Sequence, residues 1–172
     1  MNHLLEQGHR RIAFVGGVLD TKCVADRLLG ARQALAAAGR DPDSLTEIVT
    51  DGLFIAEGRR AGEQLLRLSN RRRPTAAFCA NDLLALGVLQ EMVRHGVPVP
   101  ADFAIVGYDD IDFAAAAAVP LSSVRKPRQE LGRRAAELLL DEGREGHRHE
   151  QPVFEPVLVV RESSMVRREG AA

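Results

Sequence analysis

Three polar residues from separate stretches of the chain carry the hydrogen-bonding groups that a polyhydroxylated ligand requires. Arg27 has a planar fork of donors, Asp109 has two acceptor oxygens, and Asn81 has a donor and an acceptor. The hydroxyls of a sugar or a nucleoside donate and accept at once, so this set suits them. Cys23 lies four residues before Arg27, so a helix would place both on one face. We therefore predict a ligand-binding site of Arg27, Asn81 and Asp109, with Cys23 lining its pocket.

Each of these residues also has a purely structural interpretation. Asn81 suits the N-cap of the helix that follows it, Asp109 suits an Asx-turn, and Arg27 suits a solvated helix face. Taken singly, the structural interpretation is favoured for each residue. Taken together, the three form a complementary set, and the set favours ligand binding.

The same residues are poorly suited to bond-making chemistry. No histidine lies nearby in the sequence to act as a base, and no serine or cysteine has a visible activating partner. Gly16-Gly17 lacks the spacing of a dinucleotide-binding loop, and the chain has no G-x-x-x-x-G-K-[ST] phosphate loop. His147 and His149 have no neighbouring carboxylate or cysteine placed to complete a metal site, which favours a solvated turn. We expect no enzyme activity, no metal and no cofactor.

The elements that must position these residues alternate between strands and helices. Apolar runs predict strands, and helical spacing predicts helices ended by glycines. The strands are 12–15, 47–50, 75–79, 103–106, 121–125 and 153–161, and the helices are 24–38, 57–68, 82–95 and 129–140. Fully apolar strands covered by helices on both faces predict an α/β fold with a three-layer parallel sheet. The loops at 18–22, 81–82 and 108–110 then meet at one edge, where such sheets bind ligands.

Composition narrows the class of protein. The chain has 172 residues, of which 45% are hydrophobic and 27% charged, so it suits one globular domain. Its 23 basic and 24 acidic residues give a net charge of −1, which argues against a basic surface for holding nucleic acid. The two cysteines and the absence of a recognisable secretory leader indicate a cytoplasmic protein, and no apolar run is long enough to span a membrane.

Two predicted helices carry more apolar surface than one sheet would cover. Eight of the eleven residues at 83–93 are apolar, which is more than a single apolar stripe along one face of a helix requires. We expect that helix to be covered by the sheet and by a partner subunit in a homodimer; the alternative is a deeply packed helix without a partner. The helix at 129–140 also has an apolar face, which we expect another chain to cover.

Several motifs resemble the effector-binding portion of the lactose-repressor-type (LacI/GalR) transcription regulators. The resemblance covers nearly the whole chain in order. Its motifs are Gly8-His9-Arg10-Arg11-Ile12-Ala13-Phe14, Asp26-Arg27-Leu28-Leu29-Gly30, Ala80-Asn81-Asp82, Val106-Gly107-Tyr108-Asp109-Asp110 and Leu158-Val159-Val160-Arg161-Glu162-Ser163.

The resemblance implies a periplasmic-binding-protein-like type I fold, mainly one lobe, that binds a sugar-like or nucleoside-like effector in a cleft between two lobes. Arg27, Asn81 and Asp109 match effector-contacting positions of the family, and Phe54 corresponds to an aromatic contact of the second βα loop. Operator DNA would be bound by a helix-turn-helix domain that precedes this segment and is absent from it. The effector would alter the DNA affinity of a dimer by favouring one angle between the lobes.

The resemblance also implies a division of the chain. Residues 1–122 would form the C-terminal lobe, 123–143 a segment crossing to the N-terminal lobe, 144–166 a returning strand region, and 167–172 a frayed tail. The alternative function is a periplasmic-type sugar-binding receptor of a transport system, which would require a secretory leader. A small α/β enzyme would require a phosphate loop or a nucleophile–base pair. We favour the repressor.

Overall fold

The computed structural model describes residues 1–18, 20–144 and 147–165, and within these ranges the chain forms six strands and six α-helices. The strands are β1 (Ile12–Gly16), β2 (Thr46–Val49), β3 (Ala76–Cys79), β4 (Ala104–Tyr108), β5 (Ser122–Arg125) and β6 (Val157–Val159). The helices are α1 (Asn2–Glu6), α2 (Lys22–Ala37), α3 (Ile55–Arg67), α4 (Asp82–Arg94), α5 (Asp112–Ala115) and α6 (Arg128–Glu142). The predicted α/β fold is confirmed.

All six strands join one sheet in the order β2-β1-β3-β4-β5-β6. The first five strands run parallel, but β6 pairs with β5 in the antiparallel direction, with Val159 opposite Ser123. The predicted parallel sheet is confirmed for the first five strands, and the antiparallel edge lies in the last third of the chain, where no strand direction was predicted. The strand predicted at 153–161 is also shorter in the structure, because Pro156 interrupts its first half and Val153 is 90% exposed.

Helices cover both faces of the sheet. Every residue of β1 and β3 is buried, as a strand covered on both sides requires. Right-handed crossovers place α2 on one face and α3 and α4 on the other, because the order reverses between β1 and β3. In α2 the buried side chains are Val24, Leu28, Ala31 and Leu35, which form one stripe at helical spacing.

The second side of α4 is covered mostly by α3. The backbones of the two helices approach closely, since a Cβ added to Gly87 would lie 2.3 Å from the carbonyl oxygen of Ile55. A Cβ on Gly58 would lie equally close to Leu84 O, at 2.3 Å. A neighbouring helix thus explains much of the apolar excess that the sequence assigned to a partner subunit. A third strip of α4, which includes the half-exposed Val93, remains uncovered.

The helix α6 stands apart from the core. It contains no buried residue, and Leu139 and Leu140 are 70% and 74% exposed. Its apolar face is therefore uncovered in the single chain, as expected. Pairing with β4 keeps the chain in the sheet as far as Val124, so a departure toward a second lobe would begin after β5. The division at 122, 143 and 166 stays a prediction, and Leu19, 145–146 and 166–172, which include the expected frayed tail, lie outside the described residues.

None of the helices within the described ranges is both long and apolar enough to cross a membrane.

Candidate functional site

The reversal of strand order puts the carboxyl ends of β1 and β3 side by side, where open α/β sheets bind ligands. Arg27 comes from α2, which follows β1, and Ala80 directly follows β3. The Arg27 guanidinium spans this junction and donates from Nη1 to the carbonyl oxygen of Ala80 at 2.5 Å. The sheet therefore brings together two of the loops that the sequence analysis selected.

Arg27 is held on three sides. Its Cζ lies 3.9 Å from the ring centroid of Tyr108, the last residue of β4, in a cation–π contact. Its Nη2 lies 3.8 Å from Oδ1 of Asp109. The side chain is only 14% exposed, so the interpretation of Arg27 as a solvated helix residue was wrong. A partly enclosed guanidinium with remaining N–H groups can donate to ligand oxygens at little conformational cost.

Asp109 lies immediately after β4 and has a second cationic neighbour. Its backbone φ is 106°, a conformation that residues other than glycine rarely adopt. Its Oδ1 lies 2.7 Å from Nζ of Lys126, and the carboxylate is 28% exposed. Lys126 was missed from the sequence, although it directly follows β5. Applying the strand-end rule to that strand as well would have selected it.

Asn81 has the structural role that was considered for it, and its geometry leaves room for a second role. Its Oδ1 accepts a hydrogen bond from the Leu84 amide at 2.9 Å and so caps α4. Its Nδ2 donates to the carbonyl oxygen of Leu53 at 2.8 Å. One amide hydrogen and one lone pair remain available, because an amide side chain offers two of each. The contact with Leu53 also joins the loop after β2 to this edge.

Two of the predicted contact residues, Phe54 and Cys23, are exposed to solvent. Phe54 is 66% exposed, whereas its neighbour Leu53 turns inward and packs over Gly17. Of these two residues in the second βα loop, Phe54 rather than Leu53 therefore presents its side chain to solvent. Cys23 is exposed on the first turn of α2.

A groove of about 670 Å³ continues from this edge onto one face of the sheet, between α1 and α2. Cys23, Arg27 and Tyr108 line it, together with the apolar side chains of Phe78 and Val106. The polar cluster and the groove thus share Arg27 and Tyr108. Asn81, Asp109 and Phe54 lie outside the lining of this groove.

The remaining chemical candidates behave as packing or surface groups. Cys79 is fully buried in β3, and burial raises the pKa of its thiol, which keeps it protonated. His147 lies 3.2 Å from Oδ2 of Asp141, a carboxylate that the sequence had not placed beside it. Among the residues that the structure describes, no three His, Cys, Asp or Glu side chains are grouped to hold a metal ion.

Comparison with known families matches residues 1–164 to the Periplasmic binding protein-like domain. The chain belongs to this family. Its relatives include transcriptional repressors and LacI-family regulators, which confirms the resemblance to LacI-type regulators. The HTH-type transcriptional repressor PurR of Aliivibrio fischeri (strain MJ11) is 34% identical over 168 residues, covering 96% of this chain and 49% of that protein.

The HTH-type transcriptional repressor CytR of Escherichia coli (strain K12) is 41% identical over 143 residues, covering 83% of this chain and 41% of that protein. A solved structure of a LacI family transcriptional regulator from Enterococcus faecium with bound ribose has a TM-score of 0.85 and 30% identity. That alignment covers 95% of the present chain and 59% of the regulator chain. The chain thus spans about half, or less, of the length of the curated repressors.

Proposed function

We propose that this domain is the effector-sensing part of a LacI-type transcription repressor, and that it binds a small sugar-like or nucleoside-like molecule without catalysing a reaction. The observation that carries the proposal is the Arg27–Asp109–Lys126 cluster, which lies beside Tyr108 at the carboxyl-end edge of the sheet. The repressor relatives and the ribose-bound neighbour support the same conclusion. A repressor that acts on operator DNA would work in the cytoplasm.

The cluster suits neighbouring hydroxyl groups. Asp109 can accept from one hydroxyl while Arg27 donates to an adjacent oxygen, and a ligand would replace part of their present pairing. Lys126 can stay paired with the Asp109 carboxylate or contact the ligand itself, since its flexible side chain carries a compact charge. Asn81 contributes its remaining donor and acceptor. In this proposal Cys23 and Phe54 contribute apolar contacts to the ligand at the outer edge of the site.

Ligand binding would act on transcription by a population shift. An effector held between this lobe and a second lobe would favour one angle between them, and a helix-turn-helix domain outside this segment would respond on operator DNA. In this proposal residues 123–143 cross to the second lobe and 144–166 return. One lobe alone supplies only part of the contacts, so its affinity for effector should be low.

We further propose that the uncovered strip of α4 forms a homodimer contact. A groove of about 550 Å³ runs along it, lined by apolar side chains that include Leu83, Leu86 and Val93. Phe113 of α5 borders the groove and is 71% exposed. A second copy of the chain would cover both exposed side chains at once, and dimers of this isologous kind are the commonest protein assemblies.

The binding proposal can be tested by fluorescence, because the chain contains one tyrosine and no tryptophan. Tyr108 is therefore a probe within the site, beneath Arg27. The 172-residue chain would be titrated with D-ribose, D-glucose, sucrose, cytidine and adenosine up to millimolar concentrations. We expect at least one compound to change the tyrosine emission saturably and to raise the melting temperature, because a ligand that binds only the folded state stabilises it.

Three variants make the test specific. Arg27→Ala and Asp109→Ala should abolish the response while the chain stays folded. Arg133→Ala removes an exposed arginine of α6 and should leave the response unchanged. Absence of any response in the unmodified chain, or an undiminished response in both site variants, would contradict the proposal. The relatives described above are regulators rather than transport receptors, so no second function is proposed.

A further inference from the structure

The turn that presents Asp109 contains a second aspartate with a different role. Asp110 is 8% exposed, and its backbone φ is 51°, following the φ of 106° at Asp109. Two consecutive residues other than glycine in the left-handed region cost free energy, so the surrounding structure must hold them there.

The Asp110 carboxylate lies between two arginines, one at the end of β5 and one just after β6. Its Oδ2 accepts a hydrogen bond from Nε of Arg125 at 2.6 Å, and its Oδ1 lies 2.7 Å from Nη1 of Arg161. Arg125 is the last residue of β5, and Arg161 follows β6 by two residues. Burial opposes ionisation of Asp110, but the hydrogen bonds from Arg161 and Arg125 outweigh it and hold the pKa of the carboxyl below its ordinary value.

The other side of the turn is fixed by a buried carboxylate. Asp82, the first residue of α4, accepts from the Ile111 amide at 2.9 Å and from the Ser123 hydroxyl at 2.6 Å. Ser123 in turn accepts from the Asp110 amide at 3.0 Å. A Cβ on Gly107 would lie 2.1 Å from Oδ1 of Asp82, so the carboxylate fits only against glycine. The turn is thus held by β5 and α4 together.

Two consecutive cations at the end of β5 pair with the two consecutive aspartates after β4. Arg125 contacts Asp110, and Lys126 contacts Asp109 at 2.7 Å. The Asp109 amide also donates to Val124 O at 2.9 Å. The position of the Asp109 carboxylate therefore depends on where β5 lies relative to β4, and Arg161 adds the position of β6 to the same cluster.

We propose that Asp110 is a positioning residue which, through Arg125 and Arg161, keeps Asp109 in its left-handed conformation and couples the carboxylate of Asp109 to the spacing of β5 and β6. The inference rests on the proposed function, in that Asp109 is taken to be a ligand contact. A displacement of these two strands would then change the binding site without any change in its own residues. This gives the site a regulatory input from the two segments that flank α6.

The test uses nuclear magnetic resonance of the 172-residue chain without ligand. Backbone and side-chain carboxyl chemical shifts of Asp109 and Asp110 report the sign of φ and the ion pairing. Asp110→Asn and Arg161→Gln should both move the Asp109 resonances away from left-handed values, and the double variant should show no more change than either single variant. Arg133→Gln, in an exposed pair on α6, is the matched control and should leave Asp109 unchanged.

The outcomes separate positioning from general stability. A variant that lowers the melting temperature but leaves the Asp109 shifts within the range of the control would overturn the proposal. If Asp110→Asn does not fold, Arg125→Gln replaces it, because that side chain is 57% exposed and its removal perturbs the core less. Since no ligand is present, a failure of the unmodified chain to bind sugars or nucleosides would count against the proposed function alone.

Discussion

The guanidinium of Arg27 lies 3.9 Å from the ring centroid of Tyr108, and it also donates a hydrogen bond to the carbonyl oxygen of Ala80. One side chain from α2 thus connects the ends of β3 and β4 without a ligand. Its loss of side-chain entropy occurs on folding, so a ligand that binds to Arg27 meets a donor already in place. The candidate site is therefore pre-formed around Arg27 before any ligand binds.

Lysine should not replace Arg27. Arg27→Lys keeps the charge, but an ammonium lacks the planar face that stacks on Tyr108 and the several donors that serve Ala80 and a ligand together. We expect affinity for a responding sugar or nucleoside to fall about tenfold, and the free energy of unfolding to fall by about 1 kcal/mol or less. Tyrosine fluorescence titration and urea unfolding would measure the two effects. Unchanged affinity would mean that charge alone is recognised.

Two substitutions separate the helix cap formed by Asn81 from its hydrogen bond to Leu53. Asn81→Ala removes the acceptor for the Leu84 amide and should lower the free energy of unfolding by about 1 kcal/mol. Asn81→Asp keeps an acceptor at the N-cap and should recover most of that loss while still lacking the donor to Leu53. Chemical unfolding followed by circular dichroism would compare them. Equal losses in both variants would show that the cap contributes little.

The close approach of α3 and α4 gives a direct prediction for packing. Gly87→Ala would place a methyl group 2.3 Å from backbone of α3, which cannot move aside as a flexible side chain can. We expect a loss of about 2 kcal/mol in the free energy of unfolding. Gly132→Ala in α6 is the matched control, since nothing lies within 4 Å of its added Cβ. That substitution should stabilise by roughly 0.5–1 kcal/mol, because alanine favours helix. A neutral Gly87→Ala would contradict the packing.

Acid should destabilise the domain partly through two histidines. Burial lowers the pKa of His3 and of His9 below the ordinary value of 6.5. As the pH falls through that value the unfolded chain takes up protons that the folded chain does not, so the free energy of unfolding decreases. The double variant His3→Gln, His9→Gln should lose less stability between about pH 7 and about pH 5. His149→Gln, at an exposed position, is the control and should follow the unmodified chain.

The proposed homodimer predicts a change in mass on disrupting the α4 strip. Val93→Glu and Phe113→Glu introduce charges at positions that are 50% and 71% exposed in the single chain, so folding should be retained while association is lost. Val153→Glu, at a residue that is 90% exposed away from the strip, should leave the dimer intact. Light scattering after size-exclusion chromatography would give the masses. A monomer before substitution would refute the dimer.

Local patterns predicted most of the elements correctly. The β1 strand and the α4 helix start where the sequence placed them, because apolar runs and helical spacing are properties of short segments. The return strand was predicted too long, and its antiparallel direction was not predicted. Its direction depends on the path of the intervening α6, which no local pattern records.

The candidate site could be predicted in part from the sequence for a similar reason. Parallel strands and their carboxyl ends follow from sequence, so Arg27, Asn81 and Asp109 were all located at one edge. Lys126 was missed because the strand-end rule was not applied to β5, a short strand in which only Val124 is apolar. The cap formed by Asn81 was anticipated from residue type, since an N-cap is a contact between near neighbours.

The sequence by itself determined the strand and helix types, the strand ends that carry polar groups, and the family resemblance. Only the tertiary structure decided that Arg27 stacks on Tyr108, that Asp109 pairs with Lys126, and that Asp110 pairs with two arginines. These contacts join residues far apart in the chain, and their geometry depends on strand order and strand spacing. Short-range propensities carry no information on either quantity, so the pairings emerge only when the sheet is assembled.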